Sequence, residues 1–350
     1  MTSPNRNARR IPATVSRRET LALGAAAALA GPAAFAATET VGRQMLDRAQ
    51  RFLSLLDDRQ AEEARFDFDS RTRRRWNYML GARTAPGLPL EDMQPEQKDA
   101  ALDLLSSALS EEGMTKAERI MLQQDILRDE WGKGPSHRNR ERFSTAIFGT
   151  PSEDGAWAWR FEGHHLTLSF TLLGSTVISI TPSSFSSEPN TVPSGPHKGM
   201  VVLPDEETLG RILYADLTET TRKAALIRDR SYGNIITRAG SEDALDDARE
   251  GVALGDLSTQ QAQIAERLMQ VYAVDNFAAP LAEEQRGRLA IGDPMAVRFG
   301  WAGADLGGPS IYYRLHGESF LIEFATVRNQ PLHHHTIRHD LERNLGDHLV

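Results

Sequence analysis

Histidine is concentrated in two short segments, Gly163-His164-His165 and His333-His334-His335-Thr336-Ile337-Arg338-His339-Asp340. Imidazole and carboxylate at such spacing are ligands for divalent transition metals. The chain has no cysteine, so a metal site here must use nitrogen and oxygen donors. Thiolate nucleophiles, iron–sulfur clusters and c-type haem attachment are excluded on the same ground. If the second segment is extended, side chains alternate, so His333 and His335 share a face and His334 points away. If it is helical, His335 and His339 pair one turn apart instead. Pro331 favours extended backbone just before the segment, which selects His333 with His335. One histidine of the first segment, His164 or His165, completes a three-ligand set with an open position for water or substrate. One zinc, copper or iron ion fits these donors equally well.

Several other residues are candidates around such a centre. Glu323 or Asp340 could be a fourth ligand, a partner that fixes a tautomer, or a general base. Arg160 could stabilise an anionic substrate or transition state, and Arg314 could clamp a carboxylate or phosphate. Ion pairs of these arginines with Glu162 or Glu323 account for them equally well. Tyr313 could donate to a reacting oxygen, and Trp159 could flank a substrate, although core packing is the commoner fate of tryptophan. The basic run Arg71 to Arg75 reads as a solvated face, because the chain as a whole is acidic.

The elements that must position these residues are legible in the periodicity. Apolar residues recur at three- and four-residue spacing over 41–57, 95–110 and 115–131, which predicts three amphipathic helices. Further helices are expected over 205–217, 218–229, 258–272 and 282–290, with Ser258 and Gln261 forming a capping box. Residues 157–170 alternate as one strand, placing His165 with Trp157, Trp159 and Phe161, and His164 with Arg160 and Glu162. Residues 176–180 return as a second strand, 181–204 form a long ordered loop, and strands follow at 296–301, 311–315 and 319–326. His316-Gly317-Glu318 makes a hairpin turn. No internal repeat is visible. The order of elements implies an α+β fold, with an antiparallel sheet built from a central hairpin and C-terminal strands and packed with several helices.

The N-terminus reads as a leader. Ser16-Arg17-Arg18-Glu19-Thr20-Leu21 has the twin-arginine form, an alanine-rich run follows, and Ala34-Phe35-Ala36 is a small-x-small cleavage pattern. Residues 1–36 are therefore expected to be a twin-arginine signal peptide, and 37–350 a single domain. The partners implied are the twin-arginine export machinery and a small molecule or metal ion, and the destination is periplasmic or secreted. The apolar run is too short for a permanent membrane anchor. Residues 1–36 contain five arginines and one glutamate, leaving 35 basic against 47 acidic side chains in the remainder. A surface this acidic disfavours nucleic acid and anionic lipid as partners. There is no G-x-S-x-G elbow, P-loop, dinucleotide glycine fingerprint or H-E-x-x-H helix.

Ile147-Phe148-Gly149-Thr150-Pro151, Trp159-Arg160-Phe161-Glu162-Gly163-His164-His165-Leu166, Tyr312-Tyr313-Arg314, Phe320-Leu321-Ile322-Glu323-Phe324 and His333-x-His335 with Asp340 resemble domain-of-unknown-function family 3500. Trp76-Asn77, Leu104-Leu105 and Leu109-Ser110 fit it too. The resemblance covers nearly all of the chain after the leader and implies one unit whose histidine motifs are His164, His165, His333 and His335. His334 and His339 depart from the family pattern. The family name supplies no activity. Three readings follow from the residues: an exported metal-dependent enzyme of hydrolase type acting on a small anionic substrate, a non-catalytic metal-binding or delivery protein, or a ligand-binding module with structural histidines. Redox chemistry at copper or iron is compatible with the same ligands.

Overall fold

The structure, a computed structural model, describes residues 32–79, 85–132, 138–241, 244, 249–303, 308 and 310–349. Residues 1–31 of the leader lie outside that range. Among the described residues no helix is long and apolar enough to cross a membrane.

In chain order the strands are β1 (Arg65–Phe66), β2 (Leu88–Pro89), β3 (Ser144–Phe148), β4 (Ala156–Gly163), β5 (Leu166–Leu173), β6 (Thr176–Ser179) and β7 (Ser183–Phe185). They continue with β8 (Leu226–Arg228), β9 (Val252–Ala253), β10 (Arg298–Ala302), β11 (Tyr312–His316), β12 (Phe320–Val327) and β13 (Gln330–Asp340). All belong to one mostly antiparallel sheet ordered β1-β3-β4-β5-β7-β13-β12-β11-β10-β8, with β2 on β3, β6 on β5 and β9 on β10. The fold is α+β, as the order of elements predicts.

The helices that cover the sheet are α1 (Pro32–Ser54), α2 (Asp58–Ala64), α3 (Arg71–Arg74), α4 (Pro95–Ala108), α5 (Glu111–Asp125), α6 (Glu206–Asp216), α7 (Glu219–Ala225), α8 (Thr259–Ala273) and α9 (Ala279–Leu289). α8 starts in the Ser258/Gln261 capping box read from the sequence. Met45, Phe52, Leu104, Leu105 and Ile120 of α1, α4 and α5 pack with Trp157, Trp159, Phe161, Leu168 and Phe170 of β4 and β5. Leu213, Leu268 and Tyr272 of α6 and α8 pack in the same way with Trp301, Tyr313, Ile322 and Phe324. A smaller core of Trp76, Tyr78, Ile235, Tyr312, Ile337 and Leu345 lies under the loops around 76–79 and 232–239. That loop-covered core is where the histidines arrive.

Two expectations need correction. First, residues 157–170 are not one strand but the hairpin β4–β5, turning at His164–His165. Trp159 pairs with Phe170 and Phe161 with Leu168, so a two-residue turn switches the parity, and the even-numbered apolar residues after it share the helix-facing side. The run of alternating apolar residues continues through the turn, which hides it. At Gly163 a Cβ would lie 2.2 Å from the Phe143 ring, so glycine is needed to let that ring pack beneath the turn.

Second, there is an internal repeat. The strand order reads alike from either edge, and the details match: β1 runs parallel to β3 as β8 does to β10. β2 is antiparallel to β3 as β9 is to β10. The Leu90 N–H donates to Phe143 O and the Leu254 N–H to Val297 O, both at 2.9 Å. Gly87 (φ 108) and Gly251 (φ 117) occupy equivalent positive-φ positions, each with backbone of β3 or β10 where a Cβ would stand. Trp159-Arg160 through Phe170 then aligns with Tyr313-Arg314 through Phe324 without a gap, and the hairpin register matches, Trp159 opposite Phe170 and Tyr313 opposite Phe324. The halves meet where β7 pairs with β13, Ser183 opposite Arg338. Their register is preserved while side chains have diverged, because a buried sheet face accepts many apolar residues of similar volume.

Candidate metal centre

β13 is extended over 330–340, so His333 and His335 share one face and His334 the other. His334 meets Glu207, with 3.1 Å between Nε2 and Oε2, and the Phe324 ring. His335 faces the loop-covered core, its ring edge-on to Tyr78 with centroids 5.0 Å apart. His165 comes from the β4–β5 turn and has φ 72, an uncommon conformation for a residue with a Cβ. It is held there at both ends: its N–H donates to Tyr78 O (2.7 Å), and its carbonyl accepts from the Ser186 N–H (2.8 Å). One residue on, Ser187 bridges to His334 through both backbone hydrogen bonds. The strand β7 and its extension thus join the turn to β13.

The result is a cluster. His333 Nε2 lies 3.0 Å from His165 Nε2 and 2.9 Å from His335 Nε2. One ligand atom from each of the three falls within 4.8 Å of the others. The tautomers follow from the surroundings. Asn234 Oδ1 accepts from the Ile235 N–H at 2.8 Å and the Tyr78 hydroxyl at 3.3 Å, and lies 2.8 Å from His335 Nδ1. A backbone N–H only donates, so this Asn234 atom is the oxygen, and His335 Nδ1 must carry the proton. His333 Nδ1 is 2.9 Å from Gln330 Oε1 and 3.8 Å from Glu188 Oε1, and the nearby carboxylate, which can only accept, favours the proton on Nδ1. Both rings therefore present an Nε2 lone pair to the same point.

Electrostatics keeps the rings neutral. Burial, reinforced by neighbouring positive charge, lowers the pKa of His333 to about 3 and holds those of His165 and His335 well below the ordinary imidazole range. Neutral imidazoles with converging lone pairs repel one another unless a cation lies between them. A tetrahedral zinc site with metal–nitrogen distances of about 2.0–2.1 Å needs nitrogens roughly 3.3 Å apart. The two short separations are within a few tenths of an ångström of that. The donor set fits a divalent transition metal.

His164 is not part of this cluster. Its ring stacks on His165 with centroids 3.7 Å apart, and its Nδ1 accepts from Arg138 Nη1 at 2.8 Å. The same guanidinium nitrogen donates to Gln124 Oε1 at 3.1 Å, at the end of α5. Arg138 also approaches Glu188, at 3.7 Å, and Glu188 Oε1 lies 3.8 Å from His333 Nδ1. A cation and a carboxylate therefore stand beside the three histidines.

The other residues singled out from the sequence are placed elsewhere. Arg160 is buried in an ion pair with Glu162 at 3.1 Å and donates to the carbonyls of Arg73 and Thr72. Arg314, its counterpart in the second half, pairs with Glu250 at 2.8 Å. Tyr313 shares a hydrogen bond with Tyr272 (2.6 Å), contacts Glu206 O (2.7 Å) and stacks on Phe324. Trp159 stacks on Phe170 in the helix-covered core. Asp340 takes a two-pronged pair from Arg288 at 2.7 and 2.8 Å. None of these five has a contact with the three histidines among the described residues. In each, an arginine or acid needed a partner under the sheet, or an aromatic ring was needed to fill it. Glu323 has an indirect connection. It accepts from the Ile236 N–H (2.8 Å), the Thr237 N–H (3.0 Å), the Thr237 hydroxyl and the Tyr312 hydroxyl (2.8 Å), and so anchors the loop that carries Asn234. All its contacts are donors to it, and burial raises its pKa.

The profile of the family described as "Protein of unknown function (DUF3500)" matches residues 38–347. The chain belongs to the DUF3500 family. No curated protein and no solved structure matches it. Within this DUF3500 chain, sequence reasoning missed Asn234, Tyr78, Arg138 and Glu188. Asn234 sits in Ser231-Tyr232-Gly233-Asn234, a turn-type cluster inside a stretch with no periodicity. That composition was the available signal, since loops held on a rigid sheet often carry binding residues.

Proposed function

We propose that this protein is a metalloenzyme in which His165, His333 and His335 bind one divalent transition ion and leave a coordination position open. The observation that carries the proposal is the convergence of three imidazoles, His165 and His335 buried and His333 half-buried, with the ring proton directed outward at His335 by Asn234 and at His333 by Gln330. An ion held there supplies Lewis-acid activation of a water or substrate oxygen. The chain's own contribution is to hold the ligands neutral, to fix their tautomers and to exclude competing water around His335 with Tyr78. Glu188, beside His333, is placed to accept a proton, and the half-buried Arg138 guanidinium next to it is placed to hold a negatively charged group. Hydrolysis of a small anionic substrate uses all of these parts. Export by the twin-arginine route, with delivery to the periplasm or beyond, is part of the same proposal and rests on Arg17-Arg18 and the alanine-rich run.

The test is elemental analysis of the protein purified without an affinity tag, beside a His333→Ala/His335→Ala variant whose fold is checked by circular dichroism. Near-stoichiometric metal in the wild type, lost in the folded variant, is the expected result. Absence of metal from the wild type, or its full retention by the variant, overturns the proposal.

A further inference from the structure

A cleft of about 780 Å³ opens on the loop-covered side of the sheet. Its wall includes Arg71, Arg74 and Arg75 from α3 and the residue after it, Arg238 from the loop beyond β8, and the largely buried Trp76 and Tyr78. These two loops occupy equivalent places in the two halves of the repeat, so the cleft lies between the halves. The basic run that reads as a solvated face in the sequence is therefore one side of a concavity.

The charge there runs against the rest of the molecule. The whole chain has a net charge of −8. Among the described residues four arginines and one acid, Asp347, line the cleft, and Asp347 is already shared by Arg74 at 2.8 Å and the buried Arg73 at 3.3 Å. Arg71, Arg75 and Arg238 form no ion pair with any described residue. Nearby like charges raise the cost of the compact state, and guanidiniums clustered in a concavity are the arrangement that receives anions by charge-assisted hydrogen bonds. Tyr78 links the cleft to the histidines. The same residue lines the cleft, stands edge-on to His335 and hydrogen-bonds to Asn234.

We infer that this cleft is a binding site for a small molecule carrying two or more oxyanion groups, phosphate or carboxylate, held by Arg71, Arg75 and Arg238. As the place where substrate docks, it rests on the metalloenzyme reading. As an anion site, it stands alone. A cleft of this volume is in the range that holds metabolite-sized ligands.

The experiment is isothermal titration of the full-length protein with pyrophosphate and with citrate at low ionic strength. It is run on wild type, Arg75→Ala/Arg238→Ala, Arg75→Lys/Arg238→Lys and, as an exposed control that does not line the cleft, Arg59→Ala. Each is measured as purified and after chelator treatment. Saturable one-to-one binding of either probe is expected, weakened at least tenfold by the alanine pair, less by the lysine pair and not by the control. Binding of neither probe, or binding unchanged in the alanine pair, overturns the inference. Binding that survives chelation in a protein without metal would leave the cleft standing while the metal reading falls.

Discussion

Asn234 is the residue on which the tautomer of His335 depends, and replacing it gives the sharpest test of the centre. Its Oδ1 takes the Ile235 N–H, the Tyr78 hydroxyl and His335 Nδ1 within 2.8–3.3 Å. Asn234→Ala removes all three acceptor contacts at a half-buried position. Loss of an outer partner of a ligating histidine typically weakens metal binding by about 10–100-fold, which is roughly 1.4–2.8 kcal/mol at the constant of about 1.4 kcal/mol per decade. Unfolding stability should fall as well, by about 1.5–4.5 kcal/mol, since each of the three hydrogen bonds contributes about 0.5–1.5 kcal/mol. Asn234→Asp separates the two effects. A carboxylate still accepts from His335 and makes the ring more basic, so it should keep wild-type affinity or exceed it. The assay is competition for zinc against a chromophoric chelator, with thermal unfolding measured on the metal-free proteins. Equal affinities for wild type and Asn234→Ala would refute the argument that Asn234 sets the ligand tautomer. So would Asn234→Asp binding as weakly as Asn234→Ala.

Further outcomes follow from the same geometry. His164→Ala should keep the metal stoichiometry, with affinity reduced less than tenfold, because His164 is engaged by Arg138 outside the cluster; loss of metal in a folded variant would make it a ligand. Gly163→Ala places a methyl against the Phe143 ring and should cost about 1–3 kcal/mol, as overpacking does, read as a lowered denaturant midpoint. Glu284 contributes a pH dependence. Burial raises its pKa to about 7, so the folded chain keeps a proton that the unfolded chain releases near the ordinary value of 4.5. Stability from this group is intact below about pH 4.5 and falls as pH rises to about 7, by at most a few kcal/mol. Glu284→Gln should therefore be more stable than wild type at pH 8 and no more stable at pH 4. A difference that does not change with pH would contradict this.

What the sequence determined by itself was whatever depends on one chain segment. The period of two in an extended segment after Pro331 puts His333 and His335 on one face and His334 on the other, and β13 carries them so. Helix periodicity located the amphipathic helices, and Ser258 with Gln261 marked where α8 begins. The absence of cysteine set the donor types.

Only tertiary structure decided what depends on two segments meeting. The His164–His165 turn was hidden because alternation of apolar residues looks the same along one strand and across a tight hairpin. Which of those histidines joins the cluster is settled by the positive φ at His165 and its two backbone hydrogen bonds, neither of which has a local sequence signal. β7 carries the turn to β13, yet Ser183-Ser184-Phe185 is short and polar and has no strand signature; its neighbours on both sides make it a strand. The repeat stayed hidden for a related reason. Backbone register is conserved by hydrogen bonding between strands, whereas most side chains need only fill volume, so the two halves share their pairing but few residues, such as Gly87 with Gly251 and Arg160 with Arg314.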